Sequence, residues 1–200
     1  MKLPIGVAVC LVALVIGGSE APATIEAQRA RLPPAAECAS PVAGRWKALA
    51  FFEIQNTWYE YTLEIREDPK DPTILTGTIF VDSWAGPADR IEPPEPCIAR
   101  DKGKMEGHGS FVNGNVTFAG GEYHVTEHVC GPRYGYNPDQ FTGRLEPERQ
   151  EFQSVNNDGG VAVNEPMVFR RIGCFENGRK DPGSNVTPPP FFPKRKAAGC

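Results

Sequence analysis

The chain has 200 residues, a formal charge of -4 and a pI near 5.5. Its basic residues are scattered except near the C-terminus, so the composition disfavours nucleic-acid binding by the folded part and no nucleic-acid partner is expected. With the tails set aside, the folded part is about 130 residues, one domain with a substantial core.

Met1 and Lys2 precede an apolar run from Leu3 to Ile16, the charged start and hydrophobic stretch of a secretory signal. The run is shorter than the roughly 20 apolar residues that a spanning helix needs, so no transmembrane span is expected. Small residues allow cleavage after Ala23 or Ala27, and residues 1–27 are read as the signal. A lipoprotein anchor at Cys10 is disfavoured, because few apolar residues precede it and Val9 is larger than the residue usual before a lipidated cysteine. The expected location is therefore secreted or extracytoplasmic, where disulfides persist. Residues 28–40 lack an apolar period and read as a flexible leader, residues 41–174 as the folded domain, and residues 175–200 as a Pro-rich basic tail ending in Cys200.

Between the tails the pattern has a period of two. Tyr59, Tyr61, Leu63 and Ile65 alternate with Glu60, Thr62, Glu64 and Arg66, as a strand with one face on a core and one in water. Similar runs are 45–52, 74–83, 107–112, 115–129, 140–145, 151–155 and 167–172, which makes eight strands. Asn113 and Gly114 are a hairpin signal, since both tolerate positive φ. Gly120 and Gly121 are read as a bulge within the fifth run; a turn there would give nine strands instead.

Connections alternate in length. Those at one end span 67–73, 113–114 and 146–150, and those at the other span 53–56, 84–106, 130–139 and 156–166. The fold class expected is all-β, an eight-stranded antiparallel up-and-down barrel with one tight end and one loop-rich mouth. The cysteines fit this topology. Cys97 and Cys130 fall in connections at the mouth, while Cys38 and Cys174 flank the first and last strands at the tight end. The pairs expected are Cys97 with Cys130 and Cys38 with Cys174, leaving Cys200 available for a disulfide dimer.

Gly44, Arg45 and Trp46 open the first strand, and this Gly-x-Trp resembles the start of lipocalins and related calycin-type barrels, with avidin-like barrels also open. The resemblance implies that Trp46 covers the closed end and that an arginine of the last strand packs over it. Arg170 or Arg171 is placed to match, and Gly44, Trp46 and Arg171 are assigned to barrel closure. It also implies a cup able to hold a small ligand.

His124-Val125-Thr126-Glu127-His128 matches H-x-x-E-H, a zinc-hydrolase motif that works on a helix. On a strand the two histidines lie about 13 Å apart, so the match reads as chance and no metal is expected. The run from Asn156 to Gly160 offers too few oxygens for calcium and reads as a turn. Tyr59, Tyr61, Phe80, Phe111, Phe118, Phe141, Phe152 and Phe169 either line a cavity or fill the core. No phosphate loop, nucleophile elbow or catalytic triad pattern occurs, so neither cofactor nor catalysis is expected. The function expected is binding of a small-molecule, carbohydrate or other polymeric ligand at the mouth through Trp84, Arg133, Tyr134 and Tyr136, or alternatively docking of a protein partner on the same loops.

Overall fold

The structure, a computed structural model, describes residues 25–93, 99–131, 135–160 and 165–175. A helix, α1 (Ile25–Arg31), precedes β1 (Gly44–Phe52), β2 (Thr57–Glu67), β3 (Ile74–Ala85), β4 (Arg100–Val112), β5 (Asn115–Gly120), β6 (His124–His128), β7 (Gln140–Glu146), β8 (Glu151–Asn156) and β9 (Pro166–Gly173). Every pairing is antiparallel, between neighbours in the chain except where β6 pairs with β4 and β7 with β5, and β9 returns to β1, which closes an up-and-down barrel.

The barrel has eight strands because β5 and β6 are two halves of one. Both lie along β4, with Gly120 opposite Gly107 and His124 opposite Lys104, so the second half carries one extra residue. Gly121 donates its N–H to Glu106 O at 2.8 Å across this bulge. β7 then pairs with β5 through Asn115 to Ala119, and no pairing joins it to β6 among the described residues. The wall is therefore splayed between β6 and β7, at the end where the long connections emerge.

Alternation fills the interior. Trp46, Ala48, Ala50 and Phe52 of β1 face Tyr61, Leu63 and Ile65 of β2, with Leu75, Ile79, Val81, Met105, Phe118, Phe141, Phe152 and Phe169 completing one buried cluster. Its rings form a continuous stack. Trp46 meets Phe152 edge-on at 5.2 Å, Phe152 stacks on Phe169 at 4.9 Å, and Phe141 bridges Phe169 to Tyr61 at 4.8 and 5.1 Å.

At the tight end Arg171 lies 5.1 Å from the Trp46 ring centre and is itself buried. Its guanidinium donates to Ser40 O at 2.7 Å, Ala43 O at 3.1 Å and Gln150 Oε1 at 2.8 Å, and the Trp46 indole N–H donates to Val42 O at 2.9 Å. Cys38 and Cys174 form a disulfide there, with Cα atoms 5.4 Å apart. Gly44 has φ +148°, and a Cβ on it would lie 2.6 Å from Gly173 O and 2.8 Å from Arg171 Cδ.

Several expectations are corrected. Residues 25–31, expected as the end of the signal and the start of a flexible leader, form α1, docked on the outside of the barrel. The Gln28 side chain, 4 % exposed, extends the β9 edge by accepting from Val168 N and donating to Pro166 O, both at 2.9 Å. Arg29 and Arg170 share the buried Glu151 at 2.8 and 2.6 Å. Composition hid this because the helix docks mainly through polar contacts. β4 starts at Arg100 rather than 107, since its inward positions are Asp101, Gly103, Met105 and Gly107 and give no apolar alternation. Glycine is required there: a Cβ on Gly107 would sit 2.3 Å from the Phe118 ring, and one on Gly103 2.2 Å from that of Tyr123. Phe80 points outward and is 39 % exposed. Residues 1–24, most of the expected signal, and residues 176–200, Cys200 included, lie outside the described residues, within which no helix is long and apolar enough to cross a membrane.

Gly44→Ala should destabilise the barrel by about 2–4 kcal/mol, because the side chain strains φ and displaces Arg171 from Trp46. Urea unfolding checks this; a loss below about 0.5 kcal/mol, the scale of an ordinary surface change, would contradict it.

Candidate functional site

The ring stack ends near the mouth in a polar layer. Asp139, the residue before β7, is 1 % exposed and accepts from Tyr136 OH at 2.7 Å, Asn156 Nδ2 at 2.8 Å and Tyr61 OH at 3.2 Å. Both carboxyl oxygens are thus occupied. Burial pushes the Asp139 carboxyl up to about 7, and the three donors pull the other way without cancelling it.

Above this layer the barrel is open. A cavity of about 430 Å³ is lined by Gln55, Thr57, Tyr59, Ser83, Asp101, Tyr123, Val125, Gly135 and Tyr136. A smaller one of about 150 Å³ shares Gln55, Tyr59, Gly135 and Tyr136 with it and adds Tyr61, Asn156 and Asp158. The larger volume lies in the range of small-molecule sites. Its walls come from β2, β3, β4, the bulge, β6 and the segment leading to β7, so the β6–β7 splay is what makes the space.

The tyrosines are held in place by one another. Tyr123 stacks on Tyr136 at 4.1 Å, Tyr59 on Tyr61 at 6.0 Å, and Tyr59 OH donates to Gln55 Oε1 at 2.9 Å. Burial, then the charge of nearby aspartates, pushes Tyr59 and Tyr123 up to about 12, while burial holds Tyr61 and Tyr136 well above the usual range. All four remain neutral phenols at physiological pH, suited to hydrogen bonding and ring contact rather than to nucleophilic chemistry.

Of the residues assigned from sequence, Tyr136 is in the cavity wall. Trp84 is not at the mouth: it is 1 % exposed on the outer face, stacked on Trp58 at 6.4 Å in a cluster with Leu32, Leu49 and Val168 beside α1. Strand parity puts it there, since Ser83 faces inward and its neighbour must face out. Arg133, Tyr134 and Cys97 lie outside the described residues; Cys130 is disulfide-bonded. Asp158 accepts from Gly160 N at 2.6 Å, a turn contact.

The H-x-x-E-H segment is the strand β6, with His124 exposed. His128 contacts Asp101 through Nδ1, and its Nε2 lies 3.2 Å from Gly131 O. No cluster of three metal-ligating side chains occurs among the described residues. Sequence reading missed Gln55, Asp101, Tyr123 and Asp139. Only Asp139 carried a usable signal, a carboxylate one residue before an alternating strand.

Comparison with protein-family models, curated proteins and solved structures gives no match to this chain.

Because the folded-state pKa of Asp139 is raised from 3.8 to about 7, the folded protein holds a proton that the unfolded chain releases. The stabilisation is present in full below the unfolded value and is lost as pH rises through the folded one. Relative to Asp139→Asn, the wild type should lose about 2–3 kcal/mol between pH 5 and pH 8. Parallel pH dependence in urea unfolding of the two proteins would contradict the assignment.

Proposed function

We propose that this chain is an exported, non-catalytic β-barrel that binds a small ligand in the cavity at its loop-rich end. The observation that carries the reading is the contrast between the two ends. The tight end is packed solid by Trp46, Phe152 and Phe169, whereas packing stops at Asp139 and leaves a polar, tyrosine-lined space above it. Sites of this kind combine apolar ring area with a few placed polar groups, here Gln55, Ser83 and Asp101.

The Cys38–Cys174 bridge and the apolar N-terminal run support export to an oxidising compartment. The Gly-x-Trp opening with Arg171 over the indole supports a calycin-type cup, and only its architecture is carried over. We assign Cys97 to Cys130 across the mouth, which leaves Cys200 available for a disulfide between chains. A protein-docking role is less favoured, because Trp84, the largest aromatic expected on such a surface, is buried on the outer wall.

Native mass spectrometry of the unreduced protein from its own exported fraction tests the reading. A small molecule released on denaturation, one per chain, is expected. A polypeptide held in its place, with no small molecule released, would overturn it in favour of the protein-docking role.

A further inference from the structure

Among the described residues the charged side chains that line the mouth are all acidic. Asp101 lines the larger cavity and Asp158 the smaller, while Asp139 lies beneath, bonded to Tyr136 of the shared wall. No Lys, Arg or His lines either cavity among the described residues. Beside the larger cavity, His128 Nδ1 meets Asp101 Oδ1. Arg100 and Lys102, the basic residues that flank Asp101 in β4, are engaged elsewhere, with Asp82 and Glu127. The connections around the mouth add further acids, Glu53 between β1 and β2 and Glu165 before β9.

The aspartates act together on the wall. Asp158 and Asp101 press on the Tyr59 phenol and Asp101 on that of Tyr123, and Asp139 adds its charge only as pH rises through about 7. Such a field repels an anion. It favours a cation, which in a partly desolvated space gains also from the negative faces of neutral aromatic rings. The hydroxyl of Ser83 and the amide of Gln55 add acceptors for N–H donors. The space suits more than a bare ion: an ammonium group can meet a carboxylate while its carbon skeleton covers ring surface.

We propose that the mouth takes an organic ammonium cation, its charged nitrogen held by Asp101 with Asp158 of the adjoining space adding to the field, and its apolar part set among Tyr59, Tyr123 and Tyr136. The inference rests on the reading of the mouth as a ligand site and adds the sign and class of the ligand. The lining separates it from neutral sugars, which carry no charge for these carboxylates to meet.

The test is an NMR titration of the ¹⁵N-labelled, unreduced protein at neutral pH and matched ionic strength. The probes are phenethylammonium and phenylacetate, similar in shape and opposite in charge. Phenethylammonium should shift the amides of Gln55, Ser83, Gly135 and Tyr136 and bind at least about five-fold more tightly than phenylacetate, the scale expected of a partly exposed ion pair. Asp101→Asn and Asp158→Asn, both at partly exposed positions, should each weaken the cation and leave phenylacetate unchanged or tighter. Preference for phenylacetate, or undiminished cation binding in both variants, would overturn the charge assignment while leaving a ligand site in place. If neither probe shifts any mouth amide, both the proposal and the ligand-site reading fall.

Discussion

The buried guanidinium of Arg171 is the contact on which the rest of the barrel depends. It packs on Trp46 while its N–H groups reach carbonyls of Ser40 and Ala43 and the side chain of Gln150. One side chain therefore joins the last strand, the segment before the first, and the turn between β7 and β8. Its partners are carbonyl dipoles rather than a carboxylate, and each is needed, because a buried charge left short of acceptors is strongly destabilising. The closed end is made by hydrogen-bond satisfaction and ring contact together, with the disulfide beside it holding the chain ends.

From that base the interior is built upward. The ring sequence Trp46, Phe152, Phe169, Phe141 and Tyr61 passes order from the tight end to the polar layer. Small residues opposite large ones make this possible: Ala48 and Ala50 on β1, and the glycines of β4 beneath Phe118 and Tyr123. The Asp139 layer then ends the apolar core on a group that burial keeps near its titration point, sharing its oxygens among Tyr61, Tyr136 and Asn156. A rigid floor of this kind lets the walls above it stay unpacked without loss of the fold. Among the described residues no strand pairs with β6 on the side of β7, and the space opens there.

How much of this was legible in the sequence follows from what each element exposes to pattern. Strands with apolar inner faces, such as β2, announce themselves, and Asn113 and Gly114, both at positive φ, mark the hairpin beyond them. The parity of the connections placed Cys38 and Cys174 together because closure of an even-stranded barrel requires it. The first half of β4 was silent, since its inward face is glycine and aspartate and its bulk is supplied by neighbours. α1 was silent because Gln28 and Arg29 dock it, and polar docking has no hydropathy period. The mouth was legible as a place, through its long connections, but not as a set of side chains: Asp101, Tyr123 and Asp139 come from three different segments, and Trp84 was assigned without its strand parity.

The proposed ligand site is the space above Asp139. A crystal structure of the protein purified from its native source, without exchange or reduction, tests it most directly. Non-protein density in contact with Asp101, Tyr123 and Tyr136 is expected. A mouth filled by the protein's own loops, with Tyr59 and Tyr136 buried beneath them and no room for a guest, would contradict it.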